Sequence, residues 1–117
     1  MKGRQVRGEN DTVTMVAGEA ITAFCLVNAL GYHEAADEAV GVALHDTDSG
    51  SNISVGVGRI EVALSGAAVT ANTPLETDAD GKLIDYSSGI VVGYSFDSST
   101  GGDEYIRFLL VHGGSAA

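Results

Sequence analysis

The segment Gly18-Glu19-Ala20-Ile21-Thr22-Ala23 returns 48 positions later as Gly66-Ala67-Ala68-Val69-Thr70-Ala71, and the segments after each copy recur in the same order. A short apolar stretch comes first (Cys25-Leu26-Val27, then Pro74-Leu75), followed by a Gly-centred turn at Gly31 and at Gly81. An alternating strand with Gly inside it comes next, Ala39 to Leu44 and Val91 to Phe96. A Ser/Asp/Gly turn succeeds each strand, at Asp46 to Ser51 and at Asp97 to Gly102, and a last strand closes the unit. Self-similarity at this period marks a duplicated supersecondary unit whose copies bury a shared face. Repeat one runs from about 16 to 57 and repeat two from about 64 to 111, inside a single β domain spanning 13–112. A chain organised in this way is built around a shape rather than a reaction centre.

The expected fold is mainly β, a compact small barrel or sandwich. At 117 residues the chain has room for one domain, which buries roughly two-thirds of its unfolded surface. With four Tyr, three Phe and no Trp, the core must be aliphatic and modest, so oligomerisation is a natural way to bury more. Six basic residues against sixteen acidic ones give a formal net charge of −10, which favours solubility and argues against nucleic acid or an anionic membrane as partner. No apolar run approaches the ~20 residues that cross a bilayer. Met1-Lys2-Gly3-Arg4 leads into polar residues and not into a signal-peptide core, so a soluble product made in the cytosol is expected. The lone cysteine, Cys25, excludes an intrachain disulfide, and its neighbours Phe24 and Leu26 suit a small buried hydrophobe better than a reactive thiol.

Charge is unevenly placed. Lys2, Arg4 and Arg7 are three of the six basic residues, and the segment through Asp11 has almost no apolar content. Such a segment cannot offset its ordering entropy by burial, so residues 1–12 are expected to form a flexible N-terminal arm. The alternation of Thr12 and Thr14 with Val13 and Met15 ends the arm in a short strand. The tail, residues 113–117, is expected to be disordered.

From Ile53 the alternation is clear. Ile53, Val55 and Val57 share one parity, and then the apolar set shifts to Ile60, Val62 and Leu64. A one-residue slip exchanges the faces of a strand, so a bulge or sharp bend is predicted at Gly58, with Gly56 to Glu61 as strand. The last strand, Tyr105 to Val111, is apolar on both parities, which makes it central or covered by another subunit. Tyr105, Leu109 and Val111 are therefore candidate oligomer contacts. Asp80-Gly81 between Leu75 and Leu83 predicts a hairpin. His33 to Ala39 could make one or two helical turns at most.

Fragments that resemble catalytic or ligand motifs fail on spacing. Asp46 to Asn52 begins like a calcium loop, but its twelfth position is Val57 where a bidentate Glu is required. Asp78-Ala79-Asp80-Gly81 places its Gly too early. Gly56-Val57-Gly58 lacks the third Gly and the helix of a dinucleotide site. Gly93-Tyr94-Ser95-Phe96-Asp97 has Asp where a nucleophile elbow needs Gly, which leaves Ser95 as an outward residue on an alternating strand. His33, His45 and His112 show no metal-ligand spacing and read as surface residues. No catalytic, cofactor or metal residue is assigned, and an enzyme is not expected.

The repeated Gly-x-Ala-Ile/Val-Thr-Ala unit and the run from Thr73 to Ile84, Thr-Pro-Leu-Glu-Thr-Asp-Ala-Asp-Gly-Lys-Leu-Ile, resemble the small capsid-decorating (cement) proteins of tailed bacteriophages. The run from Thr73 through Phe96 is also similar to the central segment of lambdoid head decoration proteins. The likeness covers roughly residues 16 to 111. Phe24 and Asn72 depart from it, since the typical repeat has Gly there, which leaves the tight turn open at both places.

The resemblance implies a mainly β homotrimer seated at threefold or quasi-threefold sites on the outer surface of the virion capsid, with the major capsid protein as partner. It also implies an N-terminal arm that orders against the shell, for which Lys2, Arg4 and Arg7 are the candidate capsid-binding residues. No catalytic residues or cofactors come with that family. The alternatives are a tail-associated or receptor-binding phage β protein and a small oligomeric β-barrel enzyme or ligand-binding module.

Overall fold

The computed structural model describes residues 12–33 and 38–111. The arm, Met1 to Asp11, the tail from His112 onward, and the centre of the weak helical signal at 34–37 lie outside the described residues. The rest is all β. Strands β1 (Thr12–Val16), β2 (Leu26–Val27), β3 (Gly41–Ala43) and β4 (Asn52–Gly56) form a four-stranded antiparallel sheet in the order β1-β4-β3-β2. Strands β5 (Ile60–Leu64), β6 (Pro74–Thr77), β7 (Leu83–Asp85), β8 (Gly93–Ser95) and β9 (Tyr105–Leu110) form a five-stranded antiparallel sheet in the order β5-β9-β8-β6-β7.

The two orders are one order written twice, with β7 added. β1 pairs with β4 as β5 pairs with β9, and Val16 opposite Asn52 corresponds to Leu64 opposite Tyr105. Leu26 opposite Val42 corresponds to Pro74 opposite Tyr94. The turns repeat as well: Phe24 N–H donates to the Ala43 carbonyl at 2.7 Å, and Asn72 N–H to the Ser95 carbonyl at 2.8 Å. Asn28 Oδ1 accepts the N–H groups of Leu30 and Tyr32, and Asp78 Oδ1 those of Asp80 and Lys82. These Asx turns place Gly31 and Gly81 at φ of 82° and 77°, the left-handed region where only glycine is unpenalised. Gly81 sits in the hairpin joining β6 to β7.

Phe24 and Asn72 adopt φ values of 64° and 61°. The tight turn thus forms in both repeats without glycine. Asn tolerates this conformation better than most residues because its short polar side chain can hydrogen-bond to the local backbone. Phe24 is held there by its packing, with its ring half-buried against the core and edge-on to Tyr105, centroids 5.3 Å apart at 89°.

Each repeat contributes to its own core. Ile53 and Val55 are fully buried, together with Ala17, Ile21, Val27 and Ala43, while Ser54 between them turns away. The second and larger cluster holds Phe108, Ile106, Leu75, Leu83 and Val92, and it also takes in Leu26 and Val42 from repeat one. That crossing of Leu26 and Val42 helps fasten one sheet to the other.

The strand expected over Gly56 to Glu61, with its bend at Gly58, is interrupted at that bend. β4 ends at Gly56, β5 begins at Ile60 in the other sheet, and Gly58 lies in the connection. Glu61 closes it by accepting the Gly58 N–H at 2.8 Å. Burial pushes the Glu61 carboxyl above its ordinary value, and that hydrogen bond pulls the other way.

Ser95 is a correction, since it is buried and not outward. Its hydroxyl donates to the Thr70 carbonyl at 2.6 Å and accepts the Thr73 N–H at 3.1 Å, so it clamps the turn of repeat two. His33 is a second: it is half-buried, with Nδ1 2.8 Å from the Leu26 carbonyl oxygen and its backbone N–H on the Glu19 carboxylate at 2.7 Å. His45 is exposed, as expected of a surface histidine. Cys25 is buried, and burial raises its thiol to about 11.

Candidate interaction surface

Strand registers put an apolar row across the outer face of the five-stranded sheet. Ile60 lies opposite Leu109, Leu109 opposite Tyr94, and Tyr94 opposite Pro74. A second row starts with Val62 opposite Arg107, and Phe96 N–H donates to the Arg107 carbonyl. Ile60, Tyr94, Phe96 and Tyr105 keep between 44% and 64% of their surface in contact with solvent. Scattered exposed hydrophobes are ordinary, whereas a contiguous set on one sheet face marks a contact surface.

The parity shift at Gly58 explains this face. On β5 it is the apolar parity, Ile60 and Val62, that points outward, while Ala63 is fully buried. β9 does the opposite, burying Ile106, Phe108 and Leu110 and presenting Tyr105, Arg107 and Leu109. On the outer face of the four-stranded sheet Thr12 and Thr14 stand where β5 has Ile60 and Val62, and Asn52 and Ser54 where β9 has Tyr105 and Arg107, while Val16 at the end of β1 is an exposed apolar residue there.

One charged pair interrupts the apolar rows. Arg107 donates from Nη2 to Asp97 Oδ1 at 2.8 Å and from Nε to Oδ2 at 3.1 Å, a two-point fork. The Arg107 side chain and its backbone N–H draw the Asp97 carboxyl down to about 2. The pair therefore presents no net charge to whatever approaches. Among the described residues no group of three or more His, Cys, Asp or Glu side chains is placed to hold a metal ion.

Of the candidate oligomer contacts, Tyr105 and Leu109 share this outer face, and Val111 lies half-buried just beyond β9, its N–H on the Val92 carbonyl. The candidate arm residues Lys2, Arg4 and Arg7 lie outside the described residues. Sequence reasoning missed Ile60, Val62, Tyr94 and Phe96 as surface residues. Their alternation was visible, but alternation alone does not say which face of a strand meets the core.

Comparison with known proteins adds three findings. A family model of phage cement proteins matches residues 5–110. The fold is similar to the crystal structure of the N base of head fiber gp8.5 of bacteriophage phi29, with a TM-score of 0.71 at 18% identity, covering 86% of this chain and 93% of that one. No curated protein sequence matches the chain.

Proposed function

Because the chain belongs to the phage cement protein family, we propose that it is a head decoration protein that binds the outer surface of the assembled capsid as a homotrimer at threefold and quasi-threefold sites and stabilises the shell. The observation that carries this reading is the apolar outer face of the five-stranded sheet on a chain whose net charge is −10. Such a surface needs a protein partner, and the chain's charge disfavours nucleic acid or an anionic membrane in that role. Tyr105, Leu109 and Val111 would meet a second protomer, and Lys2, Arg4 and Arg7 would pair with carboxylates of the major capsid protein. Synthesis in the bacterial host's cytoplasm, followed by addition to formed shells, fits this role.

Energetically the role needs no catalysis. A ligand that binds the assembled shell but not dispersed subunits stabilises the shell by mass action. Three attachments per trimer turn modest contacts into strong avidity. Co-sedimentation with purified capsids tests the reading: the full chain should pellet with shells to saturation. Deleting Met1 to Asp11 should weaken binding while leaving the melting curve of the free protein nearly intact. Replacing only Lys2, Arg4 and Arg7 should weaken it less, and mainly at low salt, where exposed charges are least screened. A truncated chain that binds as tightly as the full one would move attachment to the body of the domain.

A further inference from the structure

Inside the chain, repeat one docks on repeat two through a small set of contacts. The Leu64 N–H donates to the Phe24 carbonyl at 2.8 Å, and the Phe24 ring packs on Tyr105. Leu26 and Val42 are buried to 1% and 0% exposure in the cluster built around Phe108. Because the registers of the two repeats correspond, each of these residues has a counterpart. The counterparts of Phe24, Leu26 and Val42 are Asn72, Pro74 and Tyr94, and those of Leu64 and Tyr105 are Val16 and Asn52.

Every counterpart is at least partly open. Asn72 is exposed, Pro74 half-buried and Tyr94 44% exposed, on a surface of repeat two that in repeat one is sealed. Val16 is 58% exposed at the end of β1, and Asn52 beside it is exposed. β1 is an edge strand. The Ala17 N–H donates to the Ser51 carbonyl, so alternation turns the Val16 N–H away from β4 to the free side, as the Leu64 N–H turns toward Phe24. The chain therefore carries the plug of the inter-repeat contact unfilled at one end and its socket unfilled at the other.

We infer that a second copy of this chain fills them: Asn72, Pro74 and Tyr94 of one protomer dock on Val16 and Asn52 of the next, reproducing between chains the contact that joins the repeats within one. The inference rests on the reading of the protein as an oligomer and adds these residues to the protomer contact proposed above, in which Leu109 lies opposite Tyr94. None of these residues is charged, which lets two strongly acidic chains meet there. The contact is heterologous, plug to socket; such a contact makes a ring when its rotation closes, and a closed trimer is a ring of six repeats. One element is not reproduced. The Leu26 N–H donates to the Gly81 carbonyl at 2.7 Å, but Pro74 has no N–H to offer, so the contact between chains is weaker than the contact within.

Cysteine cross-linking of the free protein tests this, since Cys25 is buried and its thiol is held protonated. Backbone groups joined by an N–H to carbonyl bond bring their α-carbons within disulfide reach. Val16→Cys and Asn72→Cys single variants, oxidised separately, should stay monomeric on a denaturing gel. Mixed, they should give a covalent dimer, and the double variant should give a ladder that stops at the closed trimer. Self-linking of either single variant would show a face-to-face contact and overturn the inference, as would the absence of cross-links in the mixture. Tyr94→Arg, which adds no cysteine, guards against misfolded variants: it should weaken self-association roughly 30-fold or more without lowering the protomer's melting temperature. Unchanged association would overturn the inference equally. No capsids are present in either measurement, so shell binding stands or falls separately.

Discussion

Leu26 and Pro74 occupy the same place in two copies of one unit, yet the first is sealed in the core and the second is half open to solvent. Val42 and Tyr94 show the same contrast, as do the half-buried Phe24 and exposed Asn72. The strands, their order and their turns are shared, so the difference lies in what each copy is packed against. Repeat one keeps aliphatic and aromatic residues where it meets repeat two. Repeat two has a proline, an asparagine and a tyrosine at those places, residues that tolerate water when unpaired and still contribute apolar area when covered.

Substituting equivalent pairs breaks this comparison most sharply. Leu26→Ala should cost about 2–4 kcal/mol of protomer stability, from lost burial and the cavity left behind. Pro74→Ala, its counterpart, should cost less than about 1 kcal/mol. Denaturant unfolding of both variants, at a concentration where the protein is monomeric, checks it. Equal losses would mean that the two positions are not in the different environments described.

The next effect belongs to a buried carboxylate of repeat two. Glu76 is 7% exposed on β6, and its Oε1 accepts the backbone N–H groups of Ser87, Ser88 and Gly89 at 2.8, 3.0 and 2.9 Å. Burial raises its carboxyl, but the three donors outweigh that and hold it below its ordinary value of 4.5. A carboxylate with a lowered folded-state value contributes stability above the unfolded value and loses it as pH falls through the folded one. Glu76→Ala should therefore cost about 2–3 kcal/mol at pH 7. It should also flatten the decline in stability that the parent protein shows as pH falls below about 4.5. A parent and variant with parallel pH profiles would remove Glu76 from this role.

The smallest effects concern the two turns with positive φ. Asn72→Gly should stabilise the protomer by about 0.5 kcal/mol, because glycine relieves the left-handed backbone and little packing is lost. Phe24→Gly should destabilise it by about 1 kcal/mol, since loss of the ring on Tyr105 outweighs the same relief. Opposite signs at equivalent positions would sharpen the comparison, and equal signs would contradict it.

Much of this was legible in the chain. The duplication, the hairpin at Gly81, the buried Cys25 and the change of face at Gly58 come from spacing and residue type, because turns and alternation are local properties. What escaped was decided by contacts distant in sequence. Ser95 reads as outward by alternation, yet the turn it clamps is formed by Thr70 and Thr73, more than twenty positions away. Phe24 and Asn72 lack the glycine that normally licenses their turn, and it is packing and hydrogen bonding that keep them there. The outward direction of Ile60 and Val62 could not be read either. A β-strand with one apolar parity announces a covered face without saying whether the cover is its own core or another chain.

Cryo-electron microscopy of the phage particle that carries this protein tests the central claim most directly. The expected map shows density on the outside of the shell at threefold and quasi-threefold positions, three chains forming a ring of six similar lobes. A shell surface bare at those positions, or the same chain located at the tail, would contradict the account.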